Sequence, residues 1–169
     1  MSKSSSFSLI ISFLILAPLL LLIEQFNNNI DIHYICRKYK LLDYTISDDG
    51  KVNVDNDVDL SHQRLTELPL QFGKVTGNFN CSWNKLTTLK GSPSEVGGDY
   101  ICLKNELTSL DGATKESNVG GKYDISFNKN ILSLKGTPEK IGDSTINITS
   151  LEGKPNNLSD VPGFSKGVE

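Results

Sequence analysis

Few side chains in this sequence could carry out catalysis, and no motif groups them. The 169 residues include two histidines, His33 and His62. Neither belongs to a Gly-x-Ser-x-Gly motif or to another spacing that marks a nucleophile and its base. The chain also has no phosphate-binding glycine loop and no dinucleotide fingerprint. We therefore expect no enzyme activity, no cofactor and no small-molecule substrate.

Cysteines and acidic residues offer two further routes to chemistry, a disulfide or a metal site. The three cysteines contain no C-x-x-C pair, which argues against structural zinc. Cys81 and Cys102 occupy equivalent places in neighbouring repeats. They either fill space in the core as free thiols or form a disulfide, which would leave Cys36 unpaired. The acidic run Asp55 to Asp59 lacks the glycine and the terminal glutamate of an EF-hand loop. We expect no metal site.

The strongest pattern in the sequence is an internal repeat. Three stretches follow one plan: NFNCSWNKLTTLKGSPSEVGG from Asn78, DYICLKNELTSLDGATKESNVGG from Asp99 and KYDISFNKNILSLKGTPEKIGD from Lys122. A period of about 20 to 29 residues predicts a solenoid, in which each unit stacks on the next.

Each unit begins with apolar residues that alternate with polar ones, and a second apolar pair follows. Phe79 and Cys81 alternate with polar residues, which predicts a half-buried strand, and Leu86 and Leu89 follow after the turn. Between them lies an asparagine, whose amide can satisfy backbone groups where the chain leaves the strand. We interpret this asparagine column as structural. Its members are Asn84, Asn105 and Asn128.

The repeat resembles a known family. The runs FNCSWNKL from Phe79 and YICLKNEL from Tyr100 follow the leucine-rich repeat signature L-x-L-x-x-N-x-L, with other apolar residues in the leucine places. The whole unit is similar to short VGGxFxCxxNxLTSLxGxP repeats in reading frames of large tailed phages and some bacteria. The resemblance covers residues 58–158. It implies an α/β solenoid, a short stack with a parallel sheet on one face and irregular turns on the other, and no transferable enzymatic activity.

The segment before the repeats has two parts. Phe7 to Ile23 contains no charged residue, and no small-x-small cleavage site follows it. We therefore predict that residues 1–25 form an apolar helix that anchors the protein in a membrane by a single pass, with secretion after signal cleavage as the alternative. Helical spacing between Asp31 and Lys40 and a Ser-Asp-Asp-Gly turn predict that residues 26–57 form a helix-plus-hairpin cap. Residues 159–169 are predicted to be a flexible tail.

What remains for function is a surface. Strand residues that alternate with the core are predicted to face outward together. Six of them are candidate partner-binding residues: His62, Trp83, Lys104, Phe127, Asn80 and Asp124. Exposed aromatic residues among polar ones are typical of binding hot spots. We predict a non-enzymatic binding module for a protein or peptide partner, with a structural spacer or surface-coat protein as the alternative. The net charge of −3 argues against nucleic acid.

Overall fold

The computed structural model describes residues 16–24, 31–110, 112–113, 118–131, 136–138, 140–142 and 146–147. Residues 1–15 of the predicted anchor, the end of the predicted repeats after residue 147 and the predicted tail lie outside this set. Two helices are described, α1 over residues 16–24 and α2 over residues 31–38. A helix long and apolar enough to cross a membrane is not found in the described part of the chain.

The described residues also form a series of very short strands. In chain order they are β1 Tyr44–Ile46, β2 Val52–Val54, β3 Val58–Asp59, β4 Phe72–Val75, β5 Phe79–Asn80, β6 Glu95–Val96, β7 Tyr100–Ile101, β8 Asn118–Val119, β9 Tyr123–Asp124, β10 Lys140–Ile141 and β11 Ile146–Asn147. From β2 onward they come in pairs, and each pair belongs to one coil of the chain.

The strands build two sheets rather than one. The first has the order β1-β2-β4-β6-β8-β10 and the second the order β11-β9-β7-β5-β3. Except for the antiparallel β1 and β2, all pairs are parallel and join equivalent residues of successive coils, such as Phe79 with Tyr100 and Tyr100 with Tyr123. The molecule is therefore a β-solenoid with parallel sheets, as the repeat predicted in outline.

The first sheet is the feature that the sequence interpretation missed. The second sheet, β3 to β11, lies where alternation predicted strands, but the other side was expected to be irregular turns. Instead Glu95–Val96, Asn118–Val119 and Lys140–Ile141 pair in parallel. Strands of two residues are too short to show alternation, and the glycines that follow them indicated only a turn. The structure describes no helix within the repeats.

Close approach of backbones explains those glycines. In the corner between the two sheets, a Cβ atom at Gly120 would overlap the carbonyl oxygen of Gly97 in the coil below. At Gly98 a Cβ atom would overlap the side-chain oxygen of Asn78. Neither position has a positive φ, so it is the lack of a side chain that is needed.

The core runs through the stack between the sheets. Phe79, Tyr100 and Tyr123 lie above one another with ring centroids 5.3 and 5.0 Å apart. Leu86, Leu89, Leu107 and Leu110 of the second apolar pair are fully buried, as the repeat predicted.

Helix and hairpin lie ahead of the repeats at the residues that the sequence predicted. The hairpin pairs Tyr44 with Val54 and adds β1 to the edge of the first sheet. Helix α2 buries Cys36 in the core and packs Ile32 and Ile35 against it. The helix ends at Lys38. Lys40 then takes a φ of 56° while Leu41 N–H bonds Cys36 O at 2.9 Å, and this turn returns the chain to the core.

Candidate functional site

The corner that follows each strand of the second sheet places one side chain outward. At Asp59, Asn80 and Asp124 a side-chain oxygen accepts the backbone N–H two residues later, at 2.9, 3.1 and 2.9 Å. This local bond turns the chain out of the strand. The residue after the turn then points away from the core.

These outward residues all have a left-handed backbone. The φ angles are 57° at His62, 57° at Trp83, 57° at Lys104 and 60° at Phe127. Glycine adopts this region freely, whereas a residue with a Cβ pays about 1–2 kcal/mol for it. We call these four residues the corner ladder. None of them is glycine or asparagine, the residues that the conformation favours.

Stacking joins the lower part of the corner ladder. The His62 and Trp83 rings lie 5.1 Å apart at an angle of 20°. The Lys104 ammonium lies 3.7 Å from the centroid of the Trp83 ring, so the coils below and above Trp83 each supply one contact to it. Trp83 is nevertheless 45% exposed and Phe127 54% exposed. An aromatic and cationic surface thus follows one edge of the solenoid.

The asparagine column lies one residue further along each coil and is buried. The Asn84 Oδ1 accepts the N–H groups of Gln63 and Leu65 at 3.0 and 2.9 Å. Its Nδ2 donates to the carbonyl oxygens of Leu60 and Cys81 at 2.8 and 3.0 Å. One amide therefore joins its own coil to the coil below.

The next two asparagines repeat this bonding. The Asn105 Oδ1 accepts Leu86 N–H at 3.0 Å, and its Nδ2 donates to Cys81 O at 3.0 Å. The Asn128 Oδ1 accepts Leu107 N–H at 3.3 Å, and its Nδ2 donates to Cys102 O at 3.0 Å. Each of the three amides therefore bonds backbone groups of its own coil and of the coil below.

Two of the candidate binding residues have their oxygens engaged within the chain. Asn80 and Asp124 are half-buried, and each holds the corner turn described above. The Asn80 Oδ1 also accepts the Ser82 hydroxyl at 2.5 Å. Of the six candidate residues, the four of the corner ladder are therefore the ones whose side chains are exposed. Asn80 and Asp124 hold the turns that position them.

A second polar ladder was not recognised in the sequence. A side-chain oxygen at the corner between the sheets accepts the backbone N–H of the equivalent residue one coil later. This holds for Asp57, Asn78 and Asp99, at 2.6, 2.8 and 2.8 Å. The signal is an Asp or Asn that recurs directly before three strands of the second sheet, β3, β5 and β7. This ladder accounts for Asp57 in the acidic run, while Asp55 accepts the Thr76 hydroxyl at 2.9 Å.

The cysteines are free thiols, and all three are buried. A hydrogen bond with Cys81 and burial raise the pKa of Cys102 well above its usual value, and burial raises that of Cys36. The raised pKa keeps the Cys36 and Cys102 thiols protonated near neutral pH, which makes these two side chains weak nucleophiles and apolar fillers. No group of His, Cys, Asp and Glu among the described residues could hold a metal ion.

Comparison with models of known protein families, with curated proteins and with solved structures finds no match to this chain. Function must therefore be argued from the geometry of the corner ladder.

Proposed function

We propose that this protein is a non-enzymatic binding module whose corner ladder contacts a protein or peptide partner. The observation that carries the proposal is the left-handed backbone at His62, Trp83, Lys104 and Phe127. Four large side chains occupy positions where glycine would be less strained. Backbone strain that recurs at one exposed surface is a reason to look for function there.

The exposed rings supply what binding needs. Truncating an aromatic anchor at the centre of an interface typically costs about 2 kcal/mol or more of binding energy. Trp83 and Phe127 are both about half exposed and lie two coils apart. An extended peptide laid along the ladder could bury both.

A structural spacer or coat protein is the competing proposal, and one observation favours it. His62, Trp83 and Lys104 contact one another, so the ladder could serve only to hold successive coils together. Phe127 favours the binding module instead, because its ring is more exposed than that of Trp83.

Selection of a random peptide library on the full chain tests the binding module. Peptides that bind are measured again with Trp83→Gly and Phe127→Asn, which fit the left-handed backbone. We expect each substitution to weaken binding about tenfold or more. Tyr34→Ala is the matched control, because Tyr34 is an aromatic residue on helix α2 with 61% exposure. Peptides that bind both ladder variants as tightly as the parent would contradict the proposal.

We also propose that the coils are a variant of the leucine-rich repeat and that Phe7 to Ile23 tethers the protein to a membrane. The asparagine column and the buried leucine pairs support the first of these. The apolar sequence supports the second. Fractionation of the full chain beside a version that starts at Asn27 tests the tether. Equal recovery in the soluble fraction would exclude it, and N-terminal sequencing would reveal a cleaved signal.

A further inference from the structure

A column of charged side chains follows the corner ladder along each coil. It lies one residue beyond the asparagine column and consists of Arg64, Lys85, Glu106 and Lys129, all of them exposed. The Lys85 N–H bonds Leu65 O at 2.8 Å, and the Glu106 N–H bonds Leu86 O at 3.0 Å, so these residues are stacked coil on coil. We call them the flanking column. Three of its four members are cations.

The cations of the flanking column are not neutralised within the described part of the chain. Ion pairs there join Lys51 to Asp49 in the hairpin turn and Lys74 to Glu95 on the first sheet. Neither pair includes a residue of the flanking column. In sequence, each of its cations lies two residues after a residue of the corner ladder.

The local charge differs in sign from that of the whole chain. The ladder and the flanking column contribute four cations, Arg64, Lys85, Lys104 and Lys129, against the single carboxylate of Glu106. Two further carboxylates, those of Asp59 and Asp124, lie at the corner turns, where each accepts a backbone N–H group and adds a negative charge. A surface that is locally basic in a chain of net charge −3 favours an anionic ligand.

The packing of Trp83 indicates which kind of anion fits. One face of the ring is stacked on His62, and the Lys104 ammonium lies over the ring as well. Single-stranded nucleic acid is bound through open ring faces on which bases stack, and at Trp83 a base would compete with the contacts that His62 and Lys104 already make. The edge of an aromatic ring carries the positive end of the ring quadrupole and favours carboxylate oxygens.

We propose that the corner ladder and the flanking column together bind an acidic, extended segment of a partner protein. This rests on the proposed binding module and adds the chemistry of its partner. Four stacked rungs extend over about 14 Å, a length that about five residues of an extended peptide cover. Alternate carboxylates of such a segment would meet the cations and the ring edges.

Titration of the full chain with labelled peptides tests this inference. The probes have about ten residues and alternate glycine with glutamate, with lysine or with serine, and an oligo-dT of similar length is added. We expect only the glutamate peptide to bind well, and its affinity should fall as salt is raised. The double substitution Lys85→Glu and Lys129→Glu should weaken that binding about tenfold or more.

Lys90→Glu with Lys122→Glu is the matched control, since both lysines are exposed and lie outside the two columns. It makes the same charge change and should alter the affinity less than about twofold. An equal loss in the control, tighter binding of oligo-dT or equal binding of the lysine peptide would each overturn the inference.

Failure of the inference can be told from failure of the binding module. Library peptides that lose affinity with Trp83→Gly, but carry no acidic excess and tolerate the Lys85 and Lys129 reversal, would remove only the acidic partner. Library peptides that are indifferent to Trp83→Gly and Phe127→Asn would remove the binding module and the acidic partner together.

Discussion

The asparagine column and the corner ladder run along the solenoid one residue apart, yet different forces decide their residue types. Asn84, Asn105 and Asn128 are at most 8% exposed, and each amide bonds backbone groups of two coils. The ladder residues next to them are all different and all adopt a backbone that none of them prefers.

The contrast shows that the same coil can hold one column of residues fixed and leave the adjacent column free to vary. A buried column repeats one residue because only one side chain meets the same bonding need in every coil. An exposed column meets no such shared need, so its residue types are free to vary from coil to coil. Five expected outcomes, from the largest effect to the smallest, test whether the two columns differ in this way.

Leu107→Ala sets the scale for the buried side of the coil. Leu107 is fully buried between the coils. We expect its truncation to lower the free energy of unfolding by about 2–5 kcal/mol, because it leaves a cavity. Denaturant unfolding followed by circular dichroism measures this. A loss no greater than that of Lys104→Ala would mean that the buried side has been misassigned.

Asn105→Ala should cost somewhat less, about 2–3 kcal/mol, because it leaves buried backbone groups such as Leu86 N–H and Cys81 O without their partner. Hydrogen exchange should accelerate at Leu86 first, since its N–H loses the Asn105 oxygen. If exchange at Leu86 stayed as slow as in the parent, the asparagine would not be the element that joins the coils.

Tyr123→Phe tests the one buried polar side-chain atom that lacks a hydrogen bond among the described residues. Among the described residues the Tyr123 hydroxyl finds no hydrogen-bond partner, whereas the Tyr100 hydroxyl lies 2.7 Å from Ser92 Oγ. One coil later, Ala113 takes the place of Ser92.

We expect Tyr123→Phe to raise the free energy of unfolding by about 1 kcal/mol and Tyr100→Phe to lower it by a similar amount. Ala113→Ser should also stabilise the parent, by giving the Tyr123 hydroxyl a partner. Thermal unfolding of the three variants checks this, and equal losses from both phenylalanine substitutions would contradict it.

Trp83→Gly and Trp83→Ala test the strain in the corner ladder. Both remove the ring contacts with His62 and Lys104, but only alanine keeps a Cβ at a φ of 57°. We expect the glycine variant to be more stable than the alanine variant by about 1 kcal/mol. At ordinary positions glycine is the less stable of the two, so the usual order at this site would show that the corner is not strained.

Lys104→Ala should have the smallest effect. The ammonium over the Trp83 ring is at the surface, where such a contact contributes about 0.5–1 kcal/mol. The loss should shrink when Trp83 is already glycine, which a double-mutant cycle measures. Additive losses would show that the contact contributes nothing.

Much of the buried architecture could be predicted from the sequence. Phe79, Cys81, Leu86 and Leu89 were assigned to the core from their spacing, and all four are fully buried. The hairpin strands Tyr44–Ile46 and Val52–Val54 lie at the predicted residues. Periodicity carries this information because each coil must bury the same face against its neighbours.

The first sheet and the geometry of the corner ladder were decided only by tertiary structure. A two-residue strand such as Glu95–Val96 exists because the coils below and above present backbone groups to it. The stacking of His62 on Trp83 likewise joins residues 21 positions apart in sequence.

The sequence by itself therefore determined the period, the buried columns and the asparagine bonds, because these needs recur in every coil and leave a repeated residue type. It did not determine the first sheet of the solenoid, the left-handed corners or the side chains that meet across coils. Those depend on how closely successive coils approach, and that distance is fixed only when the whole stack has formed.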